Sequence, residues 1–525
     1  GYRSLGKAGS LEGDEAAPGV AEEKAKVKKR LLATKIINED DEEGKSLLKE
    51  SILDLMNSAS ADTDLKKKAK ALLVKLAKLK AAPYQLAQDF LSGGGFIDEE
   101  ERILLKYYRY DFYRFKKTHY QKLDDEWMLD KINRWLIDGR YPALAGTDTV
   151  GKILNVLKVK PVYVGEQISL PAKLTDDGSK FGEWQTARNI VPLKNGLFDT
   201  ETEKVIPESP EYFFDYALPF DYVKDAKCPT YEKICADIFS SPEEILVWEE
   251  IMGLHIYNPF LVEKMFLLSG AGANGKSVMT TILTCLLGAK NVSAVPIECF
   301  SPNNFAFIET LGKLANIIPD MKDVEGIDEG ALKAFISREA MSFNRKNKPV
   351  VRATPTAFLT ACTNTKPRFS DKTDGVWRRM LLLEFKKQIP VEERDPRYRD
   401  PKFWEDSGEL PGIFNKALAG AKRVEKRGRI LETDDIKEAV EEYRQEQNYA
   451  AGFAREFLEF GESFRSPSHP IYMAFKNMVR DAGGRTSASK TFFSQLKAEA
   501  KVMGHEIEVT KKTERGAGDY IGKFL

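Results

Sequence analysis

Between residues 267 and 288 the chain reads LLSGAGANGKSVMTTILTCLLG. Gly270, Ala271, Gly272, Ala273, Asn274, Gly275, Lys276 and Ser277 fill every specified position of G-x-x-x-x-G-K-[ST]. Glycines at this spacing let the backbone wrap an anion, so that successive N–H groups and a helix N-terminus face it. A lysine then reaches the terminal phosphates, and a hydroxyl binds Mg²⁺. This is the chemistry of a nucleoside triphosphate. The same string on a surface would be only a glycine-rich turn, so the flanks decide. Residues 265–268 read as a short buried strand and 278–287 as a helix closed by Gly288.

Hydrolysis further requires a carboxylate for Mg²⁺ or water, a polar group near the γ-phosphate, and a cation for the developing charge. KLANIIPDM (313–321) reads as a strand that delivers Asp320 just past its end, where ligands sit in parallel sheets. PTAFLTACTN (355–364) ends on Asn364, whose amide can bond water or phosphate. Trp377-Arg378-Arg379 then precede a further apolar strand, MLLLEF. Singly, an aspartate after a strand is a turn and paired arginines are a solvated face. In this order behind the glycine-rich loop they read as one site. Between acid and amide, SFNRKNKPVVRATP (342–355) carries Arg345, Lys346 and Lys348, a basic turn.

The elements that must position these residues can be read coarsely. Residues 256–390 alternate strands and helices, which predicts a mainly parallel sheet with helices on its faces. Ahead of it, 96–255 reads as an α+β module. ILLKYYRYDFYRFKKTHYQKL (103–123) alternates as a hairpin would, and a helical pattern follows through Trp135. NIVPLKNGLFDTETEKVIP (189–207) gives strand, Asn195-Gly196 turn and strand, before helices from 231 to about 255. Residues 1–25 are expected to be disordered. Residues 26–95 form a Lys/Glu-rich helical accessory region, in which LKKKAKALLVKLAKLK (65–80) reads as a basic amphipathic helix packed on a neighbour. Residues 391–449 read as linker and helices. Residues 450–525 form a helical tail closing on a glycine-containing hairpin, TERGAGDYIGKFL.

The 525 residues suffice for roughly three domains at about 150 each. The balance of 42% hydrophobic and 30% charged residues is ordinary for a globular protein. No run is apolar enough to span a bilayer and no signal peptide opens the chain, so a cytoplasmic or host-cell intracellular location is expected. Cys228, Cys235, Cys285, Cys299 and Cys362 show no metal-ligand spacing, so a reduced protein without structural zinc is the plain reading. Eighty basic against 80 acidic residues leave no global basic footprint for nucleic acid, although a ring-shaped motor needs only local basic loops. The chain opens on Gly1 and reads as the remainder of a longer polypeptide. Residues 1–100 hold no primase catalytic pattern, so any primase is expected ahead of Gly1 or on another chain.

Taken together, the glycine-rich loop, LANIIPD, LTACTNTKP with its Asn and GVWRRMLLLEF resemble superfamily 3 helicases of the poxvirus and satellite-phage primase-helicase group. NGLFDTETEKVIPESPEYF and FDYVKDAKCPTYEKI resemble the domain that precedes the core there, and PIYMAFKNMVRDAGGRTSASKTFFSQLKAE (470–499) its winged-helix tail. The resemblance spans about residues 100–520. It implies an α+β domain, an α/β AAA+ P-loop core and a small winged-helix C-terminal domain. It also implies a ring-forming, hexameric ATPase of a virus, phage or mobile element, using ATP and Mg²⁺ and moving 3′ to 5′ on single-stranded and forked DNA. A primase or polymerase would be a partner, and no membrane is involved.

Carried over by residue, Lys276 and Ser277 serve phosphates and Mg²⁺, Asp320 is the Walker B acid and metal ligand, and Asn364 is the sensor. Arg378 or Arg379 is the finger for a neighbouring subunit's ATP. Arg345, Lys346 and Lys348 grip the DNA backbone without sequence preference. Apart from that carry-over, the tail from Pro470 offers either a second, outer DNA contact through Lys476, Arg480, Arg485 and Lys490 or a face for a partner protein. The chain departs from the family at Pro319-Asp320, where one carboxylate of the usual acid pair is absent. It departs again at Ser337-Arg338-Glu339, which stands where Gly-Gly-Asp is usual. Two other functions fit the same motifs: an initiator that uses ATP only to assemble on DNA, and an AAA-like ATPase that remodels protein. DNA-stimulated turnover and fork unwinding discriminate them.

Overall fold

The computed structural model describes Lys67, Lys70 and residues 83–525, apart from 140, 160–161, 165–167, 175–183, 259–261, 322–326, 368, 370–373, 447, 462–463, 482–485, 508, 511–519 and 522–525. The expected disordered start and most of the Lys/Glu-rich region lie outside the described residues. The chain forms two compact units, Gly1–Arg114 with Lys122–Val164, and Phe115–Gln121 with Gly165–Leu525.

In the first unit, helices Pro83–Gly93, Asp125–Asp138 and Thr147–Val159 enclose one apolar core. Met128, Ile132 and Leu136 fall four residues apart, so one face of the second helix is buried. The alternating stretch expected as a single hairpin extends to three strands, Leu105–Tyr108, Asp111–Lys116 and His119–Leu123. Arg109 and Tyr110 both take positive φ in the first turn, the type I′ geometry that matches strand twist.

The second unit opens with small antiparallel sheets. Strands Ile190–Leu193, Gly196–Asp199 and Lys204–Ile206 form a meander. Leu193 pairs with Gly196, so the turn is Lys194-Asn195 and not the expected Asn195-Gly196. The Asn195 side chain explains the shift: its Oδ1 accepts from Tyr222 N at 2.9 Å and its Nδ2 donates to Tyr222 O at 3.1 Å, which holds Asn195 in the loop.

Two helices follow, α1 (Pro229–Ile238) and α2 (Pro242–Ile256). The central sheet then comprises β1 (Met265–Ser269), β2 (Val292–Ser293), β3 (Ala315–Ile318), β4 (Phe358–Thr363) and β5 (Met380–Glu384). Its order is β2-β3-β4-β1-β5, and every pair is parallel. All residues of β1, β3 and β4 are buried, which is why they read as continuous apolar runs and not as alternations. Helix α3 (Lys276–Leu287) connects β1 to β2. Helix α4 (Glu329–Ile336) and a separate hairpin, Met341–Arg345 with Lys348–Ala353, connect β3 to β4.

Beyond the sheet, α5 (Leu410–Arg427) packs on α2, which is buried throughout Val247 to Ile256. Glycines let the backbones meet. A Cβ on Gly253 would lie 2.2 Å from Ala417 O, and one on Gly420 would lie 2.3 Å from Glu249 O. The fully buried Glu250 beside this contact accepts from Arg427 Nη1 and Nη2 at 2.9 Å and from Leu431 N at 2.8 Å, so its charge is both paired and hydrogen-bonded. One apolar cluster runs from Ala187 to Ile436, across the sequence positions 255/256 and 390/391. Helix α6 (Asp434–Glu446) then leads to α7 (Tyr449–Phe457), α8 (Ser468–Asp481) and α9 (Ser489–Val502). These last three surround Phe453, Phe475, Phe492 and Leu496 beside a small sheet of Ser466–Pro467, Tyr520–Ile521 and Val509–Thr510. The middle of the expected terminal hairpin lies outside the described residues. The protein is thus a multidomain α+β chain built around a parallel five-stranded sheet.

Candidate nucleotide and DNA site

The glycine-rich loop leaves the C-terminal end of β1, between two strands that both come later in the chain. In open sheets that is where ligands bind. Gly275 takes φ +87° and Gly272 φ +99°, conformations that side chains rarely adopt, and Gly275 caps α3 in the left-handed region. Gly270 is excluded from carrying a side chain by space: its Cβ would fall 1.9 Å from Asn274 Nδ2. The loop is sewn to its neighbours by Gly270 N to Thr363 O (3.3 Å), Asn274 Nδ2 to Phe385 O (3.1 Å) and Ile389 N to Ala273 O (3.0 Å).

Lys276 is the first residue of α3. Its Nζ donates to Gly270 O at 2.7 Å and to Asn274 Oδ1 at 3.0 Å, which folds the ammonium into the loop. Burial pulls its pKa below the ordinary lysine value, while Cys362 and the Asp320 carboxylate pull the other way. Ser277 is exposed beside it.

Asp320 stands exposed two residues past β3. The next residue fastens it to β4: Met321 N donates to Cys362 O at 2.7 Å, and Met321 O accepts from Thr363 Oγ1 at 3.0 Å. Asn364 follows Thr363 and is exposed. The structure therefore brings Gly270–Ser277, Asp320 and Asn364 to one edge of the sheet. Cys362 is buried behind them, its thiol pushed up to about 11 by burial.

The two arginines are not at that edge. They precede β5, whose Met380 pairs with Met265 at the start of β1, so they belong to the N-terminal edge. Arg378 is exposed and Arg379 is buried. Arg379 donates through Nε to Ser337 Oγ at 2.7 Å and through Nη1 to Gly375 O at 2.9 Å, and its Nη2 meets Glu263 Oε2 at 3.0 Å.

The expected basic turn is the tip of the hairpin. Lys346 and Asn347 form the turn, Lys346 is exposed, and Arg345 pairs in register with Lys348. Phe343 anchors the base by stacking on Phe307 at 4.9 Å between ring centroids. In the tail, Lys476 and Arg480 lie on α8 and Lys490 on α9, with Lys476 over the Tyr472 ring at 5.8 Å. Arg485 lies outside the described residues.

Sequence reasoning missed the braces. Helix α6 reaches two points between Asn364 and the arginines: Tyr443 OH donates to Pro367 O, and Arg444 Nη2 meets Asp374 Oδ1 at 2.6 Å. Ser337 and Glu263 were likewise invisible as partners of Arg379, since nothing in their local patterns marks them.

Two family models match the chain. Residues 101–240 match one described as D5 N terminal like, and residues 268–379 match a family of unknown function (DUF5906). The first covers the region where the sequence resembles the domain ahead of a primase-helicase core. The second runs from the end of β1 through Arg379. Among solved structures, the A form apo structure of NrS-1 C terminal region is 12% identical, with a TM-score of 0.44, covering 85% of this chain and 100% of that one. A second apo structure of the NrS-1 C terminal region is 12% identical with a TM-score of 0.45, covering 84% and 98%. Among the described residues, no helix is long and apolar enough to cross a membrane.

Proposed function

We propose that the chain is an ATP-dependent DNA helicase that works as a ring of identical subunits, with a superfamily 3 AAA+ core and a winged-helix tail. One observation carries the reading: the phosphate loop, Asp320 and Asn364 share one edge of the sheet, while Arg378 precedes the strands at the other. A chain arranged so can complete its site only with a second copy, and head-to-tail contacts of this kind close into rings. The strand order, the D5-type match ahead of the loop and the basic hairpin support it further.

The residues present fit Mg²⁺ and a triphosphate. Lys276 and the helix N-terminus offer donors to phosphate, while the Ser277 hydroxyl and Asp320 carboxylate offer the hard oxygens that Mg²⁺ prefers. Among the described residues no group of three His, Cys, Asp or Glu could hold a metal ion, so Ser277 and Asp320 would share the cation with the nucleotide. When bound, Mg²⁺ and ATP supply an activated phosphoanhydride. Lys276 would exchange its carbonyl partners for phosphate oxygens, Asp320 would hold the cation, and Asn364 would orient water through its amide. Arg378 from a neighbouring copy neutralises charge on the transferring group.

The test pairs ATPase measurements with and without single-stranded DNA with unwinding of a forked duplex. DNA-stimulated hydrolysis with strand separation is expected. ATP-driven assembly on DNA without unwinding would favour an initiator and overturn the motor.

A further inference from the structure

Ser337, which stands where the family has a glycine, lies in a hydrogen-bonded knot that the function proposed above does not use. Three segments meet there: Glu263 just ahead of β1, Ser337 at the C-terminal end of α4, and Arg379 just ahead of β5. We propose that Glu263 and Ser337 are positioning residues that tie the foot of the basic hairpin to the turn presenting Arg378, so that hairpin and arginine move as one body. This rests on the reading that Arg378 meets a neighbour's nucleotide and the hairpin meets DNA.

The bonding is saturated. Ser337 Oγ donates to Glu263 Oε2 at 2.9 Å and accepts from Arg379 Nε at 2.7 Å. The Arg379 fork spends its remaining nitrogens on Gly375 O and the Glu263 carboxylate. Ser337 and Arg379 are both buried, so the charge-assisted bond between them is shielded from water, while Glu263 closes the knot from its half-exposed side. Arg379 cannot reach a neighbour without breaking all three of its contacts. Its role is to hold the backbone of Arg378, one residue away and exposed.

On the other side of the knot the hairpin begins almost at once. Arg338 turns the chain at φ 55° with its guanidinium 4.2 Å over the Phe358 ring, and the first hairpin strand starts at Met341. The second foot is fixed independently, where Thr356 Oγ1 donates to Lys313 O at 2.8 Å ahead of β4. A displacement of the arginine turn is therefore delivered to one foot of the hairpin while the other stays on the sheet. That rotates the tip carrying Arg345, Lys346 and Lys348. Glycines at position 337 could not make this tie, because the hydroxyl is its centre.

The test uses the full chain with Ser337→Ala, Glu263→Ala, the double variant and Ser337→Thr. Four quantities are read: basal ATPase, ATPase saturated with an oligothymidylate, affinity for that oligonucleotide, and the thermal midpoint. Basal turnover and affinity should stay within about twofold in both alanine variants, while the ratio of stimulated to basal rate falls toward one. The double variant should be no worse than the worse single, since the groups act as a unit. Ser337→Thr, which keeps the hydroxyl, should restore the ratio. A ratio that survives Ser337→Ala and Glu263→Ala overturns the positioning role alone. So does a loss of basal and stimulated rates together with a lowered thermal midpoint, which is what a purely structural bond would give. A wild-type chain without DNA-stimulated hydrolysis overturns the helicase reading and this proposal with it.

Discussion

Arg378 and Lys276 lie at opposite ends of the central sheet. Lys276 follows the loop at the C-terminal end of β1, whereas Arg378 precedes β5, which starts level with Met265 at the other end of β1. The five residues of β1 alone separate the two edges by roughly 13 Å. An arginine there cannot serve its own chain's phosphates.

Arg378→Ala should therefore lower DNA-stimulated ATPase by about 1000-fold with the thermal midpoint unchanged, as loss of an arginine finger does. Mixed into wild type, it should poison activity more steeply than its mole fraction. Arg379→Ala should differ by costing about 1–3 kcal/mol of stability, because it strips buried Ser337 and half-buried Glu263 of their partner. Linear loss on mixing, or equal stability of the two variants, would show that the pair has been divided wrongly.

The loop gives the next expectation. Lys276→Ala should reduce hydrolysis to background in a folded protein, since the ammonium contributes only two hydrogen bonds to the loop itself. Asp320→Asn should still bind nucleotide, read with a fluorescent ATP analogue, yet fail to cleave it. Normal turnover in Asp320→Asn together with a dead Asp323→Asn would move the acid to a position outside the described residues.

How far these features could be read beforehand follows from their physics. The strands β1, β3 and β4 were legible because parallel strands buried on both faces must be apolar runs. The loop was legible because its backbone needs glycine at Gly270, Gly272 and Gly275, which fixes the spacing. The hairpin showed itself through cations placed on a turn. What stayed hidden depends on partners remote in sequence. Neither Gly253 nor Gly420 announces that two helices touch there, and neither Ser337 nor Glu263 announces Arg379. Arg378 and Arg379 are adjacent and chemically identical, so only the packing ahead of β5 separates the exposed one from the buried one.

The helix contact is itself testable. Gly420→Ala places a methyl 2.3 Å from Glu249 O, a backbone atom that cannot rotate away. Overpacking of that kind should cost about 3 kcal/mol or more, read as a lowered denaturant midpoint. Gly428→Ala is not an equivalent control, because its φ of +74° brings strain of another kind. Gly452→Ala, in open space within α7, should be neutral or slightly stabilising.

Acid sensitivity should trace to His255. Its Nδ1–H donates to Ile251 O at 2.7 Å and its Nε2 accepts from Thr360 Oγ1 at 3.0 Å, so the neutral ring is satisfied on both sides. Burial lowers its pKa to about 4, from the ordinary 6.5. The unfolded chain therefore takes up a proton that the folded chain refuses. The stabilisation is complete above pH 6.5 and is lost as pH falls toward 4, by about 3 kcal/mol at most. His255→Gln should lower stability at pH 7.5 but flatten its decline over that window. An unchanged slope in thermal midpoint against pH would assign the titration to other groups.

The hairpin bears most directly on the proposed grip on DNA. Lys346 is exposed at the turn and Lys348 lies on the last rung opposite Arg345, so the cations form one tip instead of a dispersed face. Below them Phe343 is buried against Phe307, which gives the tip a rigid base. Replacing Lys346 and Lys348 by Ala removes charge without touching that base, so the fold and basal ATPase should survive. Unwinding should be lost and DNA stimulation should fall. Each phosphate contact removed should also flatten the dependence of log affinity on log salt by about one unit. Deleting the tail from residue 450 onward should act differently, weakening loading onto forked DNA while the remaining core still hydrolyses ATP. If the double alanine variant unwinds a preloaded fork at the wild-type rate, the tip is a solvated surface and the chain must grip DNA elsewhere.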